Sequence, residues 1–418
     1  MGSHPISLLK PSNSYIIFVS IIVLQACHHL IICQVMPPSP PPSQDLIFLD
    51  PRLAAVYPVI QKFKNTITAD PLGITNSWVG PDICHYQGFY CDNPPDNLTA
   101  TALAAVDFNG YHLGAPTLEG FVDQLPDLAI FHANSNNFSG VIPQKIAQLP
   151  YFYELDVSNN NFSGAFPASV FGITNLSFLD IRFNAFTGSV PLQVFKQSLD
   201  VLYINNNNFM QKIPIDFGST RVLYLTLANN KFTGPIPRSI GNASSTLIEV
   251  LFLNNQLIGC IPYEIGFLRK ATVFDAGGNY LTGQLPCSLG CLDKIEQLNF
   301  AGNYLYDEIP EVVCSMPNLL NLSLSNNYFN YIGPLCRKLV KSGVLDVRMN
   351  CIAGLPNQRP YYECAKFYFH SFWFRWFCPW QYLMSVIPCK INSTYPRRPP
   401  GARTTSVTYP ALIRHRLL

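Results

Sequence analysis

The chain has 418 residues, 48% of them apolar and only 12% charged, a balance that sustains a buried core and excludes the disordered class. Its formal net charge is +2, but Ala365 to Leu418 holds eight Lys or Arg and no acid, so residues 1–364 carry 19 basic and 25 acidic side chains, a balance of −6. A mildly acidic body favours basic partners and excludes nucleic acid as the expected one.

At the N-terminus, Lys10 precedes a largely apolar run from Tyr15 to Leu24 and then small and polar residues around Ala26. That is the build of a secretory signal peptide over residues 1–33. A longer spanning stretch would place Gln25, His28 and His29 in hydrocarbon. Residues 34–44, with S-P-P-P-S from Ser39, read as a Pro-rich linker. Asn-x-Ser/Thr sequons start at Asn97, Asn137, Asn161, Asn175, Asn242, Asn321 and Asn392. With thirteen cysteines, eleven of them beyond residue 33, they agree with a secreted glycoprotein of an oxidising, extracellular compartment.

Residues 45–104 read as an N-terminal cap. Arg52 to Thr68 has the pattern of an amphipathic helix, and Trp78 and the pair Cys84 and Cys91 follow. Residues 105–334 then repeat themselves. From Leu155 the chain reads L-D-V-S-N-N-N-F-S-G-A-F-P and from Leu225 L-T-L-A-N-N-K-F-T-G-P-I-P. The template L-x-L-x-x-N-x-L-x-G-x-I-P places its Asn at 136, 160, 184, 207, 230, 255, 279, 303, 327 and 350, in steps of 23 to 25 residues. Such periodicity predicts a solenoid, because no coil can bury its apolar edge alone.

Each slot has a physical reason. L-x-L is a short strand with its leucines inward and its x residues outward. An inward Asn can bond the bare backbone of neighbouring coils, so Asn160 and Asn230 are expected to be scaffold. Gly164, Gly188 and Gly234 allow a turn, and Pro167, Pro191 and Pro237 fix φ where the chain passes to the convex side. The expected fold is an α/β solenoid, a right-handed superhelix of about ten coils of 23–25 residues, with a parallel concave β-sheet and disulfide-bearing caps. The C-terminal cap, residues 335–364, closes the stack where Cys314, Cys336, Cys351 and Cys364 cluster, with three pairings open. Of Cys260, Cys287 and Cys291, a bridge between two would leave the third free for an intermolecular bond. Residues 365–418 lack the repeat and are read as an aromatic and basic tail without a stable fold, an altered reading frame or unspliced stretch being preferred to a membrane span or a lipid-binding appendage.

A helix, a Trp, a short two-cysteine cap and repeats carrying G-x-I-P are the marks of plant extracellular leucine-rich repeats. G-C-I-P-Y-E-I-G-F-L from Gly259, E-Q-L-N-F from Glu296, E-I-P-E-V-V-C from Glu308 and R-M-N-C-I-A-G-L-P-N-Q-R from Arg348 resemble the leucine-rich repeat extensins, from about Asp45 to Cys364. The resemblance implies a cell-wall protein whose repeat domain binds a small, basic, cysteine-rich signalling peptide in wall sensing, and it also implies a homodimer. No array of the extensin unit, a serine followed by prolines, comes after Cys364, so covalent attachment to the wall does not follow. The polygalacturonase-inhibiting relatives of the same repeat type imply a second reading, inhibition of a microbial wall hydrolase. A structural protein in contact with wall polysaccharide is a third.

The residues expected to bind are those in the outward strand slots and just beyond: His132, Glu154, Asp156, Phe178, Asp180, Arg182, Phe183, Tyr203, Tyr224, Glu249, Asp275 and Gln297. Mixed aromatic and acidic strips suit recognition of a protein or peptide. Asp156 and Asp180 share a slot in successive coils, and strands about 4.8 Å apart would bring them near the spacing of a glycosidase pair. The template puts both on an open face with nothing to desolvate either, so no catalytic residue is assigned. No P-loop, nucleophile elbow or metal-spaced His cluster is present, and no cofactor or metal is expected.

Overall fold

The structure is a computed structural model that describes residues 46–374 together with Cys378 and Cys389. The signal and linker segments, the sequon at Asn392 and most of the tail lie outside the described residues.

Helix α1 (Pro51–Lys64) opens the cap. Pro51 pre-sets φ at the first helical position, and the Asp50 carboxylate accepts from the Arg52 amide at 2.8 Å and the Thr101 amide at 2.9 Å. One residue thus caps the helix and ties it to the first repeat. The helix buries Leu53, Val56, Ile60 and Phe63 and ends four residues before the expected Thr68. Trp78 is fully buried, donates its indole N–H to the Gln87 carbonyl at 3.0 Å, and packs edge-on against Phe89 and stacked on Phe108. Cys84 and Cys91 are bridged.

The concave sheet has twelve strands in chain order. They are β1 (Phe89–Asp92), β2 (Ala102–Asp107), β3 (Ile130–His132), β4 (Glu154–Asp156), β5 (Phe178–Asp180) and β6 (Val201–Tyr203), then β7 (Tyr224–Thr226), β8 (Glu249–Leu251), β9 (Val273–Asp275), β10 (Gln297–Asn299), β11 (Asn321–Ser323) and β12 (Leu345–Asp346). β1 runs antiparallel to β2, and every later neighbour is parallel. The middle residues Phe131, Leu155, Leu179, Leu202 and Leu225 pair in register and are buried.

After each of the repeat strands from β3 onward the chain turns through a left-handed residue. Ser135, Asn159, Phe183, Asn206, Asn229, Asn254, Asn326 and Met349 have φ between 51° and 59°, and Asn is the side-chain-bearing residue that tolerates this region best. The next residue is the ladder Asn. Asn160 Nδ2 donates to the carbonyls of Val157 and Ser158 in its own coil and of Ala133 in the coil before, while its Oδ1 accepts from the Phe138 amide of that coil at 3.0 Å. The same pattern recurs at Asn230, Asn279 and Asn327.

Beyond the ladder, strands such as Asn161–Ala165 and Gln256–Cys260 build two flanking sheets of five strands each. The Gly of the repeat is then needed: Gly140 has φ +85°, and a Cβ there would meet the Pro116 carbonyl oxygen at 2.7 Å. Pro143, Pro167, Pro237, Pro262 and Pro286 start short 3₁₀ turns on the convex side, and one coil there carries a short helix, α2 (Leu192–Lys196).

The C-terminal cap resolves the open pairings as Cys314–Cys336 and Cys351–Cys364. Helix α3 (Pro334–Lys341) is capped by Glu311, whose carboxylate accepts the Leu335 and Cys336 amides. Two expectations change. Cys260 and Cys291 do not pair within the trio: they bridge Cys378 and Cys389, leaving Cys287 free. The physical reason is placement, since Cys260 ends a flanking strand while Cys287 and Cys291 open and close one 3₁₀ turn of the next coil. The chain also does not leave the fold at Cys364. Helix α4 (Tyr361–Phe374) continues past it, Phe367 stacks on Tyr328 at 3.7 Å, and two later cysteines return to the body.

Replacing Asn230 by Ala strands the Phe209 amide and the Ile204 and Leu227 carbonyls. At about 1–3 kcal/mol per buried unsatisfied group, the variant should lose about 3 kcal/mol in urea unfolding followed by circular dichroism. The exposed Asn208→Ala, one slot off the ladder in the preceding coil, should lose less than about 0.5 kcal/mol.

Candidate binding site on the concave sheet

Strand register sorts the outward residues into two rows. Glu154, Phe178, Val201, Tyr224, Glu249, Val273 and Gln297 are aligned in the first. His132, Asp156, Asp180, Tyr203, Thr226, Leu251 and Asp275 are aligned in the second. Ten of the twelve expected residues therefore share one surface. Arg182 and Phe183 lie just past β5, Phe183 in the left-handed turn with 47% of its surface exposed.

The rows have different duties. In the second, the side chain closes the strand by accepting the amide two residues on: Asp156 from Ser158 at 2.8 Å, Asp180 from Arg182 at 3.1 Å, Asp275 from Gly277 at 2.9 Å and Asp346 from Arg348 at 3.0 Å. These are Asx turns, so such aspartates are partly scaffold. The first row makes no such turn and is freer to vary.

The expectation of an open, solvated strip is not met. Glu154, Phe178, Asp180, Tyr203, Glu249 and Asp275 are buried, and His132, Asp156, Arg182, Tyr224 and Gln297 are half-buried. Close strand spacing lets these side chains pack on one another. Phe178 meets Tyr203 edge-on at 6.3 Å, and His132 lies 6.2 Å from Phe178. The Arg182 guanidinium sits 5.1 Å from the Tyr203 ring centre while its Nε contacts Asp180 Oδ2 at 2.9 Å. His132 Nε2 lies 2.9 Å from Glu154 Oε2.

Sequence reasoning missed two members. Val201 joins Phe178, Tyr203 and Tyr224 in an apolar cluster, and its slot in β6 was the available signal. Ser158 donates its hydroxyl to Asp156 Oδ1 at 2.6 Å and accepts from Asn134; the D-x-S spacing of an Asx turn could have shown it.

Burial, with the charge of Asp156 beside it, pushes the Asp180 carboxyl well above the usual carboxylate range against the pull of Arg182. Burial also raises Asp156 and Asp275. At His132 burial opposes the charge, but the Glu154 hydrogen bond and the nearby charges of Asp156, Glu154 and Asp107 outweigh it and raise the pKa. The premise that nothing desolvates the Asp156–Asp180 pair is thereby corrected: Asp180 has no exposed surface. Among the described residues, no group of three His, Cys, Asp or Glu could hold a metal ion, and no helix is long and apolar enough to cross a membrane.

The pH dependence has one sign for all of these groups. Carboxyls and a histidine whose folded pKa is raised contribute stability that is full at low pH and is lost as pH rises through their folded values. The melting temperature should therefore fall from mildly acidic to alkaline buffer. Asp180→Asn should flatten that slope in a thermal scan across pH; an unchanged slope would show that Asp180 is not the group responsible.

The model of the Leucine Rich Repeat family matches residues 198–220 and 221–243. Leucine-rich repeat extensin-like protein 1 of Arabidopsis thaliana is 50% identical over 322 residues, covering 77% of this chain and 43% of that protein. Leucine-rich repeat extensin-like protein 6 of the same plant is 44% identical over 232 residues, covering 55% of this chain and 49% of that protein. The chain thus spans less than half the length of these relatives. Among solved structures, the ectodomain of the Arabidopsis receptor kinase HAESA, in complex with an N-terminally extended IDA peptide hormone ligand, superposes with a TM-score of 0.58 at 25% identity, covering 72% of this chain and 54% of that chain. The chain carries leucine-rich repeats in a leucine-rich-repeat solenoid, and its repeat region is similar to that of the plant leucine-rich repeat extensin-like proteins.

Proposed function

We propose that this chain is a secreted binding protein of the plant apoplast that takes a basic, cysteine-rich peptide on its concave face without chemical turnover. The carrying observation is the convergence of Glu154, Asp156 and Glu249 with Phe178, Tyr203 and Tyr224 on adjoining strands. Aromatic anchors beside acids suit a cationic partner with apolar side chains. The −6 balance of residues 1–364 would steer such a ligand in, and the steering weakens with salt. Peptide binding by the HAESA ectodomain and the likeness to extensin-like relatives support the same class of role.

Turnover is not part of the proposal. A general acid must touch the oxygen that it protonates, and Asp180, the carboxyl whose pKa is raised most clearly, is wholly buried beneath its neighbours. The three Asx-turn bonds of Asp156, Asp180 and Asp275 also give these acids a role in the scaffold.

The test immobilises the full chain and passes apoplastic fluid over it. A small basic peptide, retained at low salt and released by high salt, is the expected result. Glu154→Gln with Glu249→Gln should weaken its Kd by about tenfold, whereas Asp180→Asn should alter stability more than affinity. Recovery of a wall hydrolase or of pectin, with nothing basic held at low salt, would replace this reading.

A further inference from the structure

We infer that Asn321 carries an N-glycan which closes the C-terminal end of the concave face and confines a bound partner to strands β3–β9. The inference rests on the concave face being the binding surface.

Of the six sequons among the described residues, five avoid the concave strands. Asn97 and Asn175 lie in loops, Asn242 in a convex 3₁₀ turn, and Asn137 and Asn161 on flanking strands. Asn321 alone falls within a concave strand, β11. Its frame decides where a sugar would go. In Asn321-Leu322-Ser323 the Leu is the inward ladder residue, with no exposed surface, so strand alternation sends Asn321 and Ser323 outward together. Asn321 is exposed, and Ser323 donates to its Oδ1 at 2.9 Å, leaving the amide nitrogen free of that bond.

The surroundings change at the same place. Strands β4–β9 present the acids and rings of the candidate site, most of them packed together. In β10–β12 the outward slots hold Gln297, Asn299, Ser323 and Asp346, half-buried and without an aromatic ring. A branched, hydrated glycan on β11 would stand directly in the path of a ligand lying along the sheet, two strands beyond Asp275. It would therefore bar peptides from the featureless end and set their register against the acidic and aromatic strip.

The experiment uses the full chain secreted from plant cells. Treatment with an amidase that releases N-glycans, followed by peptide mass analysis, should show Asn321 converted to Asp. An unmodified Asn321 overturns the inference. Binding is read with a fluorescein-labelled octa-arginine peptide at low salt. Asn321→Gln should leave its Kd within about twofold, whereas Tyr224→Asn, which completes a sequon with Thr226 in β7, should weaken it by more than about tenfold. Tyr224→Asn with Thr226→Ala, which lacks the ring and the sequon alike, is the reference for that loss: the glycosylated variant should bind more than about tenfold more weakly than this control, which separates the glycan from the missing ring. A Kd as weak in this control as in the glycosylated variant, or one shifted more than about tenfold by Asn321→Gln, overturns the boundary. If octa-arginine ignores Glu154→Gln with Glu249→Gln, the basic-ligand reading fails instead, and occupancy at Asn321 still decides the glycan.

Discussion

Everything in this molecule depends on the amide of one asparagine per coil. A coil of this kind turns its backbone inward at the end of each strand, where water cannot satisfy it. The Asn amide supplies donors to three carbonyls and an acceptor to one N–H, and it divides them between two coils. Stacking is thereby written into a single side chain, and a coil without a neighbour is left with unmet polar groups. The two ends must then be finished by other means. At one end Asp50, Trp78 and the antiparallel β1 cover the first coil. At the other, Arg359 takes over the ladder's bonding by donating its Nε to the Asn327 carbonyl and its amide to the Asn350 carbonyl.

The concave face inherits its constraints from the same architecture. Because side chains alternate along each strand, the leucines that hold the core leave two outward slots per coil, and only one of the two is unencumbered. The second slot ends the strand through its own side chain, which explains why Asp, Asn and Thr recur at Asp156, Asp180, Thr226, Asp275 and Asn299. The first slot, with residues such as Glu154, Tyr224 and Glu249, is therefore where the side chain can vary without undoing the end of the strand.

Much of this was legible in the sequence. The ladder Asn, the inward leucines and the Gly and Pro positions each follow from a local rule, and they lie where the template put them. Ten of the twelve outward residues lie on the concave strands, because alternation decides their side of the sheet, while Arg182 and Phe183 fall just past β5. Their burial was not legible, since it depends on how residues more than twenty positions apart pack across strands: Arg182 covering Tyr203 and Val201 joining Phe178 are contacts that no pattern announces. The partners of Cys260 and Cys291 were hidden for the same reason. Cys378 and Cys389 sit in a segment with no repeat to give them a position, so only the folded chain brings them to the coils.

The buried carboxyl of Asp180 gives the face an electrical character that differs from its formula. A carboxyl whose ionisation is opposed by burial adds less to the field felt at a distance than an exposed one, so the residue count overstates the charge that an approaching cation meets. A guanidinium or ammonium group docked against the half-buried Asp156, whose carboxyl burial also pushes up, would favour its ionised form and draw off a proton. Association and proton release are then two faces of one equilibrium. The concave sheet would hold a basic partner more firmly as its surroundings become less acidic, for as long as the histidine and the acids above it keep their places.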